Sequence, residues 1–253
     1  MKIILTGATG FIGSEVLKQC LSNYYISHVY CIVRKPLAPE LATHAKVTQI
    51  FHEDFEKWPE DMFEQLRGVG GCIWCIGGAI SKFPKLEEAQ KANIALPLSA
   101  AEAFAINLSQ HVPAPVSTLK KPLPSPPFRF VYMSCSGAEQ NQFASLWVQA
   151  DTRKMKGAAE KGLFDLADTG AYKDYFDPYA LRLGTVYPGG QSVGNILTEA
   201  VTTSISVERV ARCAIQTVLS GRPGLTVEKG KRTIENAAAL GDDWADINTH
   251  VPF

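Results

Sequence analysis

The first thirteen residues, MKIILTGATGFIG, constrain the fold more than any other stretch of the chain. Residues 2–6 have the apolar character of a short buried strand, and a helical spacing of apolar residues runs from Phe11 to about residue 24. Three glycines, Gly7, Gly10 and Gly13, have the spacing Gly-x-x-Gly-x-x-Gly. A strand, a glycine turn and a helix in this order are typical of the start of an open α/β sheet.

The glycine turn also predicts a binding site for the pyrophosphate of a dinucleotide. Gly7 permits a sharp turn, Gly10 lets the backbone approach the phosphates, and Gly13 lets the helix pack against the strand. The free N–H groups and the dipole of the helix N-terminus attract an anion. The alternative is an ordinary glycine turn that binds nothing. We expect the following residues to contact the cofactor: Gly7, Thr9, Gly10, Phe11, Ile12 and Gly13.

Strand and helix patterns alternate along the rest of the chain, which predicts a doubly wound parallel sheet of the Rossmann type. Further strands are predicted at 28–34, 46–51, 71–76, 128–134 and 179–183, with an edge strand at 225–228. Helices are predicted at 60–67, 87–105, 151–167 and 206–220, the last capped by Ser206. We expect one domain over 1–253, with a proline-rich loop at 110–127 and a small C-terminal substrate lid at 188–205.

Charge and composition narrow the classes of partner. The 25 Lys and Arg residues balance 25 Asp and Glu residues, so we expect no nucleic acid and no membrane surface as a partner. The first strand leaves no space for a targeting peptide, and the six cysteines lie mostly in apolar segments, which together favour a cytoplasmic protein with reduced thiols. The Cys72-x-x-Cys75 pair fits a buried strand better than a metal or redox site, and the five histidines show no metal-ligand spacing.

The end of the second strand predicts which dinucleotide binds. This strand ends in Val33, Arg34 and Lys35, with no acidic residue before Glu40. An acidic residue at this position binds the free ribose of NAD, whereas cations bind the 2′-phosphate of NADP, so the sequence favours NADP. A solvated pair of cations at the end of a strand is the alternative. After the third and fourth strands, we expect Asp54 near the adenine, and Ile76 and Gly77 along the middle of the cofactor.

With these motifs the chain resembles the short-chain dehydrogenase/reductase superfamily, most closely its atypical NmrA-like and Tat-interacting-protein-like group. The segments that carry the resemblance are TGATGFIG at 6–13, the strand ending in Arg34, the Asp54 region, WCIGG at 74–78, YMSCSGAE at 132–139, KGAAE at 156–160, LRLGTVYPGG at 181–190 and SVERVARCAI at 206–215. The resemblance covers most of the chain apart from the proline-rich loop and the last twenty or so residues. It implies an NAD(P)-binding Rossmann fold.

The resemblance also implies catalytic residues, with one departure. The family uses a Ser after the fifth strand and a Tyr-x-x-x-Lys motif on the next helix. Ser136 matches the family serine, with Ser134 as second choice, and Lys156 matches the lysine. Thr152 stands where the family has tyrosine, and no tyrosine in the chain has a lysine four positions later. A threonine hydroxyl is a far weaker acid than a phenol, so another acid would be needed.

Three functions remain compatible with these residues. The first is an NADP(H)-dependent oxidoreductase acting on a small carbonyl or alcohol, with its proton supplied by water, by Ser136 or by a loop tyrosine (Tyr172, Tyr175 or Tyr187). The second is a dinucleotide-binding regulatory sensor without turnover, and the third is an isomerase or cyclase on the same scaffold. Members of the family often form dimers through the helices after the fourth and fifth strands, so the resemblance makes a homodimer through the helices that begin near Glu87 and Asp151 possible.

Two further expectations concern the substrate side and a buried cation. We expect Arg182 to pair with Glu160 rather than to act in catalysis. A small, largely apolar substrate is expected from the candidate wall residues Ala79, Ile80, Phe83, Ser136, Gly137, Phe143, Trp147, Tyr187 and Ile196.

Overall fold

The structure is a computed structural model that describes residues 1–111, 125–168, 171–189, 204–221 and 232–236. Its strands are β1 (Lys2–Thr6), β2 (His28–Val33), β3 (Val47–Phe51), β4 (Val69–Trp74), β5 (Phe128–Cys135), β6 (Phe176–Leu183), β7 (Thr185–Tyr187), β8 (Ser204–Ser206) and β9 (Thr233–Glu235). Its α-helices are α1 (Phe11–Ser22), α2 (Pro39–Ala42), α3 (Glu60–Gln65), α4 (Leu86–Gln90), α5 (Leu96–Asn107), α6 (Ala150–Asp168) and α7 (Val207–Ser220). A 3₁₀ turn at Ile80–Lys82 follows β4, and another at Ser109–His111 follows α5.

Seven strands form one sheet in the order β3-β2-β1-β4-β5-β6-β9, and every neighbouring pair is parallel. The predicted doubly wound parallel sheet is therefore confirmed. The chain runs outward from β1 to β3 and then crosses back to place β4 on the other side of β1. Loops that follow β1 and β4 diverge at this reversal, which leaves a crevice at the carboxyl ends of the strands.

Helices cover both faces of the sheet. On one face, α1 and α7 bury apolar side chains such as Val16 and Val210 against the strands. On the other face, α3, α5 and α6 pack around Phe104 and the aromatic side chains of β5. Because both faces are covered, the central strands read as nearly continuous apolar runs, and all six residues of β4 are buried.

The helix predicted at 87–105 is interrupted by one π-helical turn, Lys91–Ala95, between α4 and α5. Pro97 has no N–H group, so it cannot donate to the carbonyl of Asn93, four residues earlier. The hydroxyl of Tyr132 on β5 donates to that carbonyl instead, at 2.9 Å. In the π turn the N–H of Leu96 bonds to the carbonyl of Lys91, five residues back. The proline and a buried phenol thus fix the interruption.

Some predicted boundaries and segments differ from the structure. The edge strand that pairs with β6 is β9, Thr233–Glu235, whereas the strand predicted at 225–228 lies outside the described residues. Most of the predicted lid, 190–203, and most of the proline-rich loop, 112–124, lie outside them as well. The last residues of the predicted lid region form β8, which pairs with β7 in a second, two-stranded parallel sheet. Short strands of this kind lack enough alternation to be recognised from sequence.

Ser206 is the N-cap of α7, as predicted, because its hydroxyl accepts a hydrogen bond from the N–H of Arg209 at 3.4 Å. Glu208 lies in the first turn of this helix. Among the helices of the described residues, none is both long enough and apolar enough to cross a membrane.

Candidate functional site

The glycine turn after β1 brings three backbone segments into close contact. Gly7 has a φ of +67°, and a Cβ atom there would lie 2.8 Å from the carbonyl oxygen of Cys75, beyond the end of β4. At Gly13 a Cβ atom would lie 2.1 Å from the carbonyl oxygen of Gly7, so no side chain fits between α1 and the turn. The N–H of Gly10 closes the turn by donating to the carbonyl of Gly7 at 2.9 Å.

The N-terminus of α1 is open to a ligand. Gly10 is the N-cap and provides no side-chain hydrogen bond to the first turn. The first N–H groups of a helix have no partner within the helix, so those near Phe11 and Ile12 are available to an anion. Both residues line the cavity described below, and Thr9 is exposed beside them. The turn therefore fits the pyrophosphate of a dinucleotide, because no side chain occupies the cradle.

A cavity of about 720 Å³ lies at the carboxyl ends of the central strands. Its walls come from the glycine turn, the loop after β4, the loop after β5, the start of α6 and the segment that joins β6 to β7. It therefore occupies the crevice at the reversal of strand order, where open α/β sheets bind their ligands.

The loop after β4 is shaped by two glycines and Asn93. Gly77 has a φ of +127°, and Gly78 has a φ of +156°. The buried Asn93 accepts a hydrogen bond from the N–H of Gly78 at its Oδ1 atom, at 3.0 Å. A Cβ atom at Gly77 would lie 2.7 Å from this oxygen and 3.2 Å from Nζ of Lys156. Ile76 and Gly77 both line the cavity, in the region where the cofactor was expected.

The sequence did not point to Asn93 as a site residue. It lies in the π turn between α4 and α5, and its Nδ2 group donates to the carbonyl of Ala89 at 2.9 Å. The sequence signal that could have indicated the π turn is Pro97, which follows Asn93 by four residues in a segment with an otherwise helical pattern. π turns inside helices occur frequently at functional sites.

Lys156 is a buried lysine in the cavity wall. Its Nζ atom donates to the carbonyl oxygen of Met133 at 2.8 Å and lies 4.7 Å from the centroid of the Tyr132 ring. Burial lowers the pKa of this lysine from 10.5 to about 8, although the nearby Cys135 and Glu160 act in the opposite direction. The ammonium group has three donors, and two remain after the bond to Met133.

Thr152 lies one helical turn before Lys156, and both line the same cavity. Its Oγ1 atom accepts a long hydrogen bond, 3.4 Å, from the N–H of Ile80. Ser136 lines the cavity at the end of β5, where its N–H donates to the carbonyl of Leu183 at 2.7 Å. The structure therefore brings the three predicted catalytic residues together around one space.

Ser134, the second choice for the family serine, has a different environment. Its hydroxyl donates to Oε1 of the fully buried Glu160 at 2.6 Å. Glu160 in turn pairs with Arg182, whose Nη2 atom lies 2.7 Å from Oε2, and this confirms the predicted ion pair. Ser134 is therefore part of a buried network between β5, α6 and β6, which favours Ser136 as the residue that meets a substrate.

All eight tyrosines of the chain lie in the described residues, and none of them lines the cavity. Tyr132 is buried, its hydroxyl donates to Asn93, and burial raises its pKa well above the ordinary value of 10.0. The proposed loop donors Tyr172, Tyr175 and Tyr187 are absent from the cavity wall, which argues against them as proton donors. No phenol in this structure replaces the tyrosine of the family motif.

The residues expected at the adenosine end lie on the surface. Arg34 and Lys35 directly follow β2 and are exposed. Because Thr6 pairs with Ile32, these two cations lie beside the glycine turn at the same edge of the sheet. Asp54 is also exposed, and its Oδ1 atom accepts a hydrogen bond from the N–H of Glu56 at 3.2 Å. Together with Ile76 and Gly77 after β4, the predicted cofactor residues thus follow the ends of four neighbouring strands.

Only some of the residues predicted to form the substrate wall line the cavity. Ala79, Ser136 and Gly137 line the cavity, but Phe143 and Trp147 are 96% and 99% exposed and do not line it. Ile80, Phe83 and Tyr187 are likewise outside the lining, and Ile196 lies outside the described residues.

The thiols of Cys72 and Cys75 are poorly suited to redox chemistry. Cys72 is buried in β4, and burial raises the pKa of Cys75 to about 12, which disfavours a reactive thiolate. Within the part of the chain that the structure describes, no three His, Cys, Asp or Glu side chains are grouped so that they could hold a metal ion.

Comparison with known proteins gives a consistent picture. Residues 5–71 match the NAD-binding family model described as "Male sterility protein". Peramine synthetase of Metarhizium rileyi is 26% identical over 149 residues, and that of Metarhizium majus is 26% identical over 152 residues. The matches cover 54% and 55% of this chain, but the chain spans only 5% of the length of either synthetase.

Solved structures match over most of the chain. MoeE5 in complex with UDP-glucose and NAD has a TM-score of 0.61 and 17% identity, covering 93% of this chain and 75% of its own. Yeast methylglyoxal/isovaleraldehyde reductase Gre2, solved with NADPH, has a TM-score of 0.61 and 12% identity, covering 86% and 74%. The reductase domain of PhqB from Penicillium fellutanum has a TM-score of 0.56 and 16% identity, covering 92% and 66%.

The similarity to solved structures concerns the fold. The glycine turn and the match to the family model concern the dinucleotide site. The strand order, the open α1 N-terminus and the match over the first βαβ unit agree with each other. The chain therefore has a Rossmann-type fold, and its first βαβ unit matches the model of an NAD-binding family.

Proposed function

We propose that this protein is an NADP(H)-dependent oxidoreductase that acts on a small carbonyl or alcohol. The observation that carries the proposal is the meeting of Ser136, Thr152 and Lys156 in the cavity that also contains the glycine turn. When bound, the dinucleotide supplies or accepts a hydride. The names of Gre2 and of the PhqB reductase domain, both similar in fold, agree with a reductase.

In this function Lys156 binds and orients. Its Nζ atom lies next to Gly77, at the middle of the crevice, and two of its donors remain after the bond to Met133. Those donors suit the hydroxyl groups of a ribose. Its burial excludes water, which strengthens each such hydrogen bond.

Ser136 and Thr152 act on the substrate oxygen. Both are hydroxyl groups in the cavity wall, and each can donate a hydrogen bond to a carbonyl oxygen. Neither is acidic enough to release its proton at neutral pH, so the proton that reaches the oxygen comes from water through the hydroxyl of one of them. The expected consequence is a slow reductase, because a proton relay from water through a hydroxyl group replaces the positioned phenol of the family.

The preference for NADP rests on the exposed cations Arg34 and Lys35 at the end of β2. The next acidic residue, Glu40, lies in α2 and follows them by several positions. A 2′-phosphate placed between two such cations forms charge-assisted hydrogen bonds that a free ribose hydroxyl cannot match.

This preference is tested by titrating NADPH and NADH separately into the protein, using fluorescence or calorimetry. The Arg34→Ala, Lys35→Ala double variant should bind NADPH about tenfold or more weakly, with little change for NADH. Arg67→Ala, an exposed arginine on the surface after α3, serves as the control. Equal affinities for both dinucleotides in the unaltered protein would remove the preference.

The reductase activity is tested with purified protein, NADPH and a panel of aldehydes and ketones, following nicotinamide absorbance. Lys156→Ala should lower kcat/KM at least about tenfold, whereas Lys161→Ala, an exposed lysine on the same helix, should not. Binding of NADPH with no oxidation by any carbonyl would contradict the proposal.

The second candidate function is a dinucleotide sensor without turnover. The observation that favours it is the absence of all eight tyrosines from the cavity wall. A sensor predicts NADPH binding without oxidation, together with a cofactor-dependent change in affinity for a protein partner. Pull-downs with and without NADPH test this prediction, and identical partners in both would exclude it.

A further inference from the structure

Three positively charged side chains line the cavity, and among the described residues no aspartate or glutamate does. The cations are Lys82, Arg153 and Lys156. This imbalance contrasts with the whole chain, in which acidic and basic residues are equal in number. A cavity wall of one sign selects ligands of the opposite sign.

The three cations occupy different parts of the cavity. Lys156 faces Gly77 and Asn93 at the middle of the crevice, as described above. Arg153 directly follows Thr152 on α6, and Lys82 ends the 3₁₀ turn whose Ile80 N–H donates to Thr152. Both cations therefore lie near Thr152, beside which the proposed function places the substrate carbonyl.

Arg153 is held in place by the loop after β5. Its Nε atom donates to the carbonyl of Gly137 at 2.6 Å. Gly137 has a φ of +69°, and a Cβ atom there would lie 2.9 Å from Nε and 3.0 Å from Nη2. The guanidinium thus packs directly on a glycine backbone. This contact fixes its orientation while the two terminal nitrogens stay available.

Lys82 lines the cavity from the turn after β4. It ends the 3₁₀ turn Ile80–Lys82, and this turn is tied to α6 by the hydrogen bond from Ile80 to Thr152. Its Cδ atom lies 3.4 Å from the position of a Cβ atom on Gly78, so the side chain extends over the second glycine of the loop. Within the described part of the chain, neither Lys82 nor Arg153 forms an ion pair with a carboxylate.

We propose that the substrate carries an anionic group, a carboxylate or a phosphate ester, and that Arg153 and Lys82 bind it. The proposal rests on the proposed oxidoreductase function, because it places the reacting carbonyl beside Ser136 and Thr152. A guanidinium with a fixed plane binds a carboxylate or phosphate through two parallel hydrogen bonds, and a lysine adds a flexible point charge. The largely apolar substrate expected from sequence is replaced by an anionic one.

The test compares matched substrate pairs with NADPH at low ionic strength. Succinic semialdehyde and its neutral amide form the carboxylate pair, and glyceraldehyde 3-phosphate and glyceraldehyde form the phosphate pair. We expect kcat/KM to be at least about tenfold higher for the charged member of one pair, through a lower KM. The pair that shows this discrimination identifies the anionic group.

Two variants assign the effect to the proposed residues. Lys82→Gln and Arg153→Gln should each lower the discrimination several-fold while activity on the neutral member changes little. Among the described residues the Lys82 side chain forms no hydrogen bond, and the bond from its backbone N–H to the carbonyl of Ala79 is kept in the variant. The Lys82 variant therefore stays informative if Arg153→Gln disturbs the loop at Gly137. Lys85→Gln and Lys154→Gln, neighbours outside the cavity wall, are the matched controls.

A binding measurement separates this proposal from the reductase proposal. Succinate and inorganic phosphate are titrated by calorimetry into the protein with NADP⁺ present, for the unaltered chain and both variants. Anion binding that Lys82→Gln and Arg153→Gln weaken supports the anionic site even when no aldehyde is reduced. Reduction of charged and neutral substrates with equal kcat/KM, or discrimination that survives both variants, overturns the anionic site and leaves the reductase proposal standing.

Discussion

The Nζ atom of Lys156 donates a 2.8 Å hydrogen bond to the carbonyl oxygen of Met133, which holds a buried ammonium group beneath the loop after β4. The contact joins α6 to β5 at the middle of the crevice. It also places a charge where water is largely excluded, and this has a measurable effect on stability.

Folding stability should depend on pH through Lys156. Burial lowers its pKa from 10.5 to about 8 in the folded protein, so between these pH values the unfolded chain binds more protons and stability rises with pH. Below pH 8 the folded protein carries the full net penalty of the buried charge, roughly 3 kcal/mol. The Tm of the unaltered protein, measured relative to the Tm of Lys156→Met, should therefore rise between pH 8 and pH 10.5.

Thermal melts at a series of pH values measure this difference, and the comparison cancels groups common to both proteins. Lys154→Met removes a lysine from the same helix outside the cavity wall and controls for the loss of one positive charge. A Tm difference for Lys156→Met that stays constant across the window would contradict the lowered pKa.

Thr152→Tyr should raise reductase turnover. Position 152 faces the cavity one turn before Lys156, so a tyrosine there would place a phenol beside a cation, which lowers its pKa and makes it a usable acid. A positioned general acid contributes about 100-fold or more to kcat. Steady-state kinetics with the best carbonyl substrate provide the measurement.

Thr152→Phe is the control for that change, because it adds the ring without the hydroxyl. Equal turnover in the Tyr and Phe variants would mean that the hydroxyl at this position does not reach the reacting oxygen.

Asn93→Leu should weaken dinucleotide binding by about tenfold or more and lower stability by about 1–3 kcal/mol. The substitution removes the acceptor for the N–H of Gly78 and leaves that half-buried donor without its partner beside the cofactor crevice. NADPH titration and denaturant unfolding measure the two effects.

Asn107→Leu is the matched control for Asn93. Asn107 lies at the end of α5 and makes the same bond from Nδ2 to the carbonyl four residues earlier, Ala103, but it has no contact with the glycine loop. If both variants lost NADPH affinity to the same extent, the assignment of Asn93 to the cofactor crevice would be wrong.

Gly13→Ala should prevent the first βαβ unit from forming correctly. The added Cβ atom would lie 2.1 Å from the carbonyl oxygen of Gly7, and a backbone atom in a tight turn cannot move aside. We expect a loss of about 3 kcal/mol or more, or an insoluble protein.

Gly162→Ala gives the comparison for Gly13. Its Cβ atom would meet the end of the Leu98 side chain at 2.8 Å, and that side chain can change rotamer. A small effect for Gly162→Ala and a large one for Gly13→Ala, in chemical denaturation and NADPH binding, is the expected pattern. Similar mild effects at both positions would show that α1 can shift on β1.

Local features of the fold could be predicted from sequence, and features made by distant contacts could not. β1 and the start of α1 were predicted at their observed bounds because apolar periodicity and glycines act within a few residues. The pairing of Arg182 with Glu160 was predictable because a cation in a strand requires a buried partner.

The π turn at Asn93 was not predictable in the same way. It depends on Tyr132, 39 residues later, which supplies the hydrogen bond that Pro97 cannot. Likewise β9 has three residues, and its identity as a strand comes from its pairing with β6 more than fifty residues earlier. The cationic cavity wall was missed because Lys82 and Arg153 lie 71 positions apart and line one cavity only after the 3₁₀ turn docks on α6.

The pairing of β6 with β9 has a practical consequence for how the chain can be shortened. Arg182 bonds to Glu160 on one side and to Glu235 of β9 on the other, so the final strand is attached by side chains as well as by backbone. A version cut before residue 232 would expose the N–H and C=O groups along β6 to other molecules. Such an open edge promotes intermolecular strand pairing, so the shortened protein should aggregate in concentrated solution although its glycine turn is intact.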